Sequence, residues 1–335
     1  MLKRSLVPLA LIALAAPVAS QEAPPTWSSD RPDGVAPAGV IGDRLLPAGA
    51  FEAQYRFRRA KFEGVQVETV PLEFVDVLDF YSTTPFQRSD KAYEVQLQYG
   101  VSDDLSLVGV VAWLDRSRDL IDDEFLVGTD VSGVSDLFVE ALWGVWDRDA
   151  IRVHLHVGAE IPIGSIEERG DLIDSSDQVL AYEMQLGTGS FGVVPGITAQ
   201  IQNEFATVGA QVRGRIRLND NDRDYRLGDE VEGSAWAAYR FNRFFAVNAG
   251  ARLRTWGTIQ GVDSALDPTR DPGEDAVFSG GERVDVPIGM NVYLPEGKLA
   301  GHRLAFEFVF PVHQDYDAVR MTGETGFTLA WRKMF

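Results

Sequence analysis

From Gly49 to the end of the chain, apolar and polar side chains alternate one by one. In 151–163 the odd positions Ile151, Val153, Leu155, Val157, Ala159 and Ile161 are apolar, and the even ones include Arg152, His154, His156 and Glu160. In 205–218, Ala206, Val208, Ala210, Val212 and Ile216 oppose Gln211, Arg213, Arg215 and Arg217. In 302–313, Leu304, Phe306, Phe308 and Phe310 oppose Arg303, Glu307 and His313. A period of two predicts strands whose two faces meet different surroundings. No 3.6-residue period is sustained, so helices are not expected.

The pattern predicts twelve strands: 49–60, 91–100, 105–115, 133–146, 151–163, 191–202, 205–218, 230–242, 244–257, 280–294, 302–313 and 323–335. Each reaches the roughly 9–11 residues that a tilted membrane-spanning strand needs. Short turns (Ser102-Asp103-Asp104, Asp147-Arg148-Asp149, Gln202-Asn203, Asn242-Arg243, Pro295-Glu296-Gly297) alternate with long loops near 61–90, 116–132, 164–179, 219–229, 259–278 and 314–322. Six loops and five turns place both ends of the barrel on one side. An alternating segment at 65–80 would break this parity and is assigned to a loop. Residues 180–190 are ambiguous between loop and strand, because Gly187, Gly189 and Pro195 interrupt them.

A soluble sandwich alternates too, with its apolar face inward. Three features favour a membrane instead. Phe335 ends the last strand behind Phe327, Leu329 and Trp331, and a barrel must pair that strand with the first to leave no edge. The strands are long. Trp113, Trp143, Trp146, Tyr239, Phe241, Phe244 and Phe245 cluster near strand ends, where interfacial aromatic girdles belong. The expectation is all-β: a transmembrane antiparallel barrel of the bacterial outer membrane with about twelve strands, long outer loops and short periplasmic turns. Trp331 and Phe335 are then the candidate signal read by the barrel insertion machinery, and outer-membrane lipid is the surrounding partner.

Residues 1–20 read as a cleaved export signal, with Lys3 and Arg4, an apolar Leu6–Val18 stretch and a Val18-Ala19-Ser20 cleavage site. That stretch is too short to span a bilayer as a helix. Residues 21–48 hold Pro24, Pro25, Pro32, Pro37 and Pro47 among several glycines, a density that excludes a sheet interior. This segment is expected to be an irregular arm, either periplasmic or folded into the barrel mouth, before a barrel over 49–335. The 335-residue chain carries 31 basic and 50 acidic residues, a net charge of −19 that argues against nucleic acid as a partner. It has no cysteine, so stability must come from burial and strand pairing.

The inward face would be charged with both signs. Arg213, Arg215 and Arg217 form one ladder and Arg252 and Arg254 another, with Glu140, Glu160 and Glu307 among the inward acids. Two readings stay open: ion pairs that brace the interior, or a polar path that guides a small-molecule solute. Twelve strands imply a narrow passage. His154 and His156 share one strand face and are weak metal candidates, since Glu160 lies about 13 Å along the strand. No cofactor is called for. Asp220-Asn221-Asp222-Arg223-Asp224 starts like a calcium loop, yet Tyr225 and Val231 occupy the positions of the required glycine and acid. A hydrolase needs a serine beside a histidine base. Neither histidine of the pair has one at i±2, so no catalytic residues are assigned. A non-conducting barrel whose acidic loops bind a ligand or partner is the alternative from another class.

Several segments go further: Arg31-Pro32-Asp33-Gly34 through Gly39-Val40-Ile41-Gly42-Asp43, Tyr99-Gly100-Val101-Ser102-Asp103-Asp104-Leu105, Gly133-Val134-Ser135-Asp136-Leu137, Met184-Gln185-Leu186-Gly187-Thr188-Gly189-Ser190 with Pro195-Gly196, and Gly280-Gly281-Glu282-Arg283. Together, from about Arg31 to the C-terminus, they resemble the outer-membrane family named for the MetA pathway of phenol degradation. The resemblance implies a porin-like transporter of the Gram-negative outer membrane, giving passive passage to small solutes, aromatic or apolar compounds among them.

Overall fold

The computed structural model describes residues 27–335 apart from 123, 174 and 278. The export signal expected over 1–20 lies outside the described residues. Twelve strands close into one antiparallel barrel. In chain order they are β1 Phe51–Glu68, β2 Thr84–Ser102, β3 Leu105–Ile121, β4 Leu137–Arg148, β5 Ile151–Ile161, β6 Gly192–Gln202, β7 Ala206–Arg217, β8 Glu230–Arg240, β9 Phe245–Trp256, β10 Gly281–Leu294, β11 His302–Gly323 and β12 Gly326–Met334. Closure comes from β1 pairing with β12, Glu52 opposite Met334 through Arg59 opposite Phe327. Higher up, β11 runs past the start of β12 and pairs with β1 directly. The backbone therefore satisfies itself around the ring, as hydrocarbon surroundings require.

Exposure follows the alternation. Val157, Val212, Ile197, Leu304 and Phe308 point outward and are exposed, while His154, His156, Gln211 and Glu307 point inward and are buried. Trp143, Trp146, Tyr239, Phe241 and Phe335 form an exposed aromatic ring at the end with the short turns.

The expected boundaries hold within a few residues at the turn end and shift at the loop end. Much of the segments read as loops at 61–90, 116–132 and 314–322 is strand, because β1, β2, β3 and β11 rise well above the others. Above the lipid belt the outer face meets water while the inner face meets polar loop residues, with Arg118 buried against Asp271, so the apolar–polar contrast disappears although the strand continues. Asp115, Ser117 and Asp119 alternate there with Arg116 and Arg118. The 65–80 segment contains the end of β1, a short strand Val70–Leu72 and one helix, Phe74–Leu78, which the sequence period does not announce. Residues 133–146 also divide. A ribbon Leu126–Val134 pairs with the upper half of β3, and the barrel strand proper begins at Leu137. Residues 180–190 are a loop with a single 3-10 turn, Tyr182–Met184.

One facing assignment is corrected. His313 points outward, not into the lumen with Arg303 and Glu307. A bulge places Val284 opposite His313 and the next residue, Asp285, opposite Pro311, and this extra residue reverses the faces above it.

Candidate functional site: an arm-filled lumen beneath an arginine chamber

From residue 27 onward the Pro/Gly-rich arm occupies the turn-side half of the lumen, and its part over 21–26 lies outside the described residues. It enters beside the β4–β5 turn, where the Trp27 amide donates to the Asp149 carbonyl at 3.1 Å. Its backbone is irregular, and nearly every residue from 32 to 46 is buried. Backbone without a ladder must find other partners when buried, and here the barrel wall supplies amides. Gln98 donates to the Arg44 carbonyl at 2.7 Å, Gln211 to Ile41 at 2.9 Å, Asn291 to Val35 at 3.4 Å and Gln202 to Ser28 at 3.1 Å. Gln200 donates to the Asp43 carbonyl, and Arg303 to those of Ser29 and Arg31.

Charge fixes the arm as well. Asp43 pairs with Arg332 of β12 at 2.9 Å, and Arg44 pairs with Glu52 of β1. The arm therefore grips the two strands whose pairing closes the barrel. Gly42 sits at φ +65, and a side chain there would meet Glu140 at 2.6 Å and His156 at 2.9 Å. Glycine alone lets the chain turn in that space.

The histidine pair belongs to this docking. His154 Nε2 lies 2.9 Å from the Gly42 carbonyl, to which it donates. His156 contacts Glu140 through Nδ1 at 3.0 Å and Thr198 through Nε2 at 2.7 Å. Both ring nitrogens of His156 are therefore engaged by protein groups.

Above the arm lies a cavity of about 670 Å³. Gly39 and Ile41 of the arm form part of its floor, and residues from the 162–191 and 257–280 loops form its roof. The roof is built rather than loose. Leu172, Leu180, Met184 and Leu186 pack on Leu120 of β3 and Val131, and Tyr182 packs on Tyr225, Leu266 and Ala276. Arg118 ties it down, with Asp271 at 2.6 Å and Glu183 at 3.6 Å. Burial alone would raise the Glu183 carboxyl, but the guanidinium groups of Arg118, Arg88 and Arg320 hold it below the ordinary range.

Ten arginines and seven carboxylates line this chamber, in a chain that is acidic overall. Arg213, Arg215, Arg217, Arg252, Arg254 and Glu160 all contribute, so the structure brings both ladders to one wall. Glu140 and Glu307 lie deeper, at the arm. Glu140 meets Arg213 at 3.1 Å, and Glu307 meets Arg252 at 3.7 Å and the Gly39 amide at 3.4 Å. Arg215 lies 3.4 Å from both Glu160 and Glu230. Sequence reasoning left out Glu230, and with it part of the neutralising charge. It also left out Arg88, Arg116 and Arg320, which stand on strand extensions read as loops.

The pairing is incomplete. Arg254 has no carboxylate within ion-pair distance among the described residues and instead lies over Trp256, 5.1 Å from a ring centroid. The Nε atoms of Arg213 and Arg217 are buried without a hydrogen-bond partner among the described residues. Such donors favour an anionic acceptor in the chamber. An apolar patch of Leu114, Phe138, Leu186 and Val194 adjoins the Arg213 ladder, and Arg213 lies 4.8 Å over the Phe138 ring.

That apolar side coincides with a change in the barrel wall. β3 pairs with β4 only from Leu105 to Val110, and β4 and β5 stop at Leu137 and Ile161. Above that level the Leu126–Val134 ribbon and residues 162–191 complete the wall. Residues 162–191 are held by Asp136, which accepts from the Gly164 amide at 2.9 Å and from Thr188 at 2.8 Å (amide) and 2.7 Å (hydroxyl).

The 220–224 loop, which starts like a calcium loop without completing the pattern, is engaged within the roof. Asp263 pairs with Arg223 at 2.9 Å, Asp220 with Arg226 at 2.9 Å, and the Asn221 amide with the Thr188 carbonyl at 3.0 Å.

This architecture is a closed twelve-stranded antiparallel β-barrel of the outer-membrane type. It is similar to the COG4313 outer membrane channel from Pseudomonas putida F1, with a TM-score of 0.61 over 88% of this chain and 98% of that one at 14% identity. The P. putida toluene transporter TodX aligns at a TM-score of 0.44 and 11% identity over 87% of this chain and 91% of that one. A Pseudomonas aeruginosa FadL homologue aligns at 0.42 and 11% over 93% and 99%. No family model and no curated protein matches the sequence. The structural likeness establishes the fold, and the MetA-pathway name rests on the sequence resemblance alone.

Proposed function

We propose that the chain is an outer-membrane transporter that receives small solutes in the arginine-lined chamber, favours those bearing an anionic group, and passes them inward only when the arm yields. The observation that carries this reading is the division of the lumen: amides bind the arm in the turn-side half, and under-neutralised arginines line a cavity above it. The anionic group of a solute would meet Arg254, Arg217 and Arg213. An aromatic or apolar body, of the kind the family resemblance implies, would lie against Phe138 and Leu114. Passage is then gated rather than freely open.

The test uses the absence of native cysteine. Val35→Cys with Asn291→Cys, joined by a short bis-thiol cross-linker, pins the arm to β10 without removing it. Liposome swelling and uptake of small organic carboxylates should be measurable for the unlinked protein and fall sharply after linking. Equal permeation in both would reject the gated lumen. Permeation in neither would favour the competing class, a non-conducting barrel that binds its ligand at the outer loops.

A second reading concerns apolar solutes, and the interrupted ladder between β3 and β4 favours it. There the wall depends on residues 162–191 packed beside the Leu126–Val134 ribbon, so a sideways path into the bilayer needs that segment to part from the ribbon. Cross-linking Ser135→Cys to Thr188→Cys would block that path and leave the arm free.

A further inference from the structure

Outside the lumen, three potential ligands converge on the outer surface of β10 and β11. Glu282 stands directly opposite Asp315, and His313 is one step along the same face, opposite Val284. One ligand atom from each lies within 4.8 Å of the others, and His313 Nε2 is already 3.3 Å from Glu282 Oε1. Uninterrupted alternation would have sent His313 into the lumen. The bulge beside Val284 turns its imidazole onto the carboxylates instead.

The charge here is uncompensated. The inward carboxylates Glu94, Glu140, Glu160, Glu232, Asp285 and Glu307 all have an arginine within 4 Å. Among the described residues the Asp315 carboxylate has no hydrogen-bond or ion-pair partner, and Glu282 has only His313. Two carboxylates on one face of paired strands repel each other, a cost that strand pairing ordinarily avoids.

We propose that Glu282, His313 and Asp315 form a divalent transition-metal site of the Zn²⁺ class, which clamps β10 to β11 where the bulge interrupts their ladder. One imidazole nitrogen and two carboxylate oxygens are a three-ligand set that zinc accepts, leaving a fourth position open. The mixed set suits Zn²⁺ better than Ca²⁺, which takes six to eight oxygens. Zinc ligands at about 2.1 Å stand roughly 3.4 Å apart in a tetrahedron. One pair has that spacing, and the third ligand closes the rest by side-chain rotation. His313 and Glu282 are each 42% exposed, so they are free to make that adjustment. The site stands just past Phe306, Phe308, Phe310 and Val312, at the upper border of the apolar belt. Its open position therefore faces water or lipid headgroups rather than hydrocarbon.

The test is calorimetric titration of the untagged, refolded barrel in detergent with Zn²⁺ alone, then with Ca²⁺ alone. The expected result is one saturable Zn²⁺ site, weakened on the order of tenfold or more in each of His313→Ala, Glu282→Gln and Asp315→Asn, with no comparable Ca²⁺ binding. Zn²⁺ should also raise the temperature at which the wild-type barrel loses its fast-migrating gel form, and leave that temperature unchanged in Asp315→Asn. The two isosteric carboxamide variants keep the strands' shape, so lost binding is not confused with lost fold. No saturable binding would overturn the proposal. Binding of equal strength in all three variants would overturn it equally, by assigning the ion to His154, His156 or His302.

Discussion

Asp43 of the arm and Arg332 of the last strand meet at 2.9 Å, both almost wholly buried, and so join the inserted segment to the strand that closes the barrel. Removing one partner of a buried pair costs about 3–5 kcal/mol, because the other charge is left without compensation. Asp43→Ala should therefore release the arm while the barrel stays folded. Trypsin would read this as faster cleavage at Arg44 with unchanged heat-modifiable gel mobility. Cleavage no faster than in the wild type would mean that the amide bonds alone hold the arm.

The same pair sets a pH dependence. Burial by itself would raise the Asp43 carboxyl, but the guanidinium groups of Arg332 and Arg44 and the Ala36 amide hold it well below the ordinary range. A depressed carboxyl contributes stability that is present above its unfolded pKa, about 3.9 for Asp, and is lost as pH falls through its folded value. Arm docking should therefore be constant from neutrality down to about pH 4 and weaken below it. A fluorophore on Ala38→Cys, buried in the wild type, would report the change. Release between pH 7 and 5 would point to other groups.

Phe335 stacks near Phe51 with ring centroids 6.2 Å apart, and their backbones exchange hydrogen bonds at 2.7 and 3.3 Å. Phe335→Asp places a charge at this seam and should lower the amount of barrel recovered in outer membranes. Deleting residues 27–46 should also reduce stability, because Arg303 and Arg332 would lose their arm partners. Normal recovery of the Asp variant would separate the terminal aromatic from barrel closure.

Val157 is 69% exposed in the middle of the lipid-facing band. Arginine there should cost about 2–4 kcal/mol, whereas Val231→Arg, at the loop end of β8, should cost about 0–1 kcal/mol. Urea-dependent folding into vesicles would measure both. Equal costs would mean that the belt lies at a different height on the barrel.

The strands were legible because lipid on one side and polar groups on the other impose a contrast at every residue. The contrast weakens at Arg116–Asp119 and at Gln87–Asp90, where the outer face meets water and the inner face meets the polar groups of the roof, and there the reading stopped short. The arm's composition showed that it could not be sheet and left its location open. A signal was nevertheless present. Gln98, Gln200, Gln202, Gln211 and Asn291 all fall at inward positions near the short turns, and buried amides of that kind require a backbone or amide partner. The arginine ladders were legible as inward charge. The full set of their acid partners was not, since Glu230 was left out and meets Arg215 only through the fold.

The last prediction concerns which arginine sets selectivity. Arg213 meets Glu140 at 3.1 Å, and Arg215 lies between Glu160 and Glu230, so replacing either also strands an acid. Arg254 lines the same chamber over Trp256 with no carboxylate in ion-pair range. Its charge is the least compensated and should act most strongly on a passing ion. Conductance, measured in the full chain or in Asp43→Ala if the docked arm holds it below detection, should be weakly anion-selective. The preference should grow at low salt, where screening weakens. Arg254→Glu should shift the reversal potential in a salt gradient further toward cations than Arg213→Glu does, although both change the net charge equally. Binding of an aromatic carboxylate should quench Trp256 in the wild type, and the change should be lost in Arg254→Glu. Cation selectivity in the wild type that neither variant moves would assign these arginines to bracing the barrel, with the solute path elsewhere.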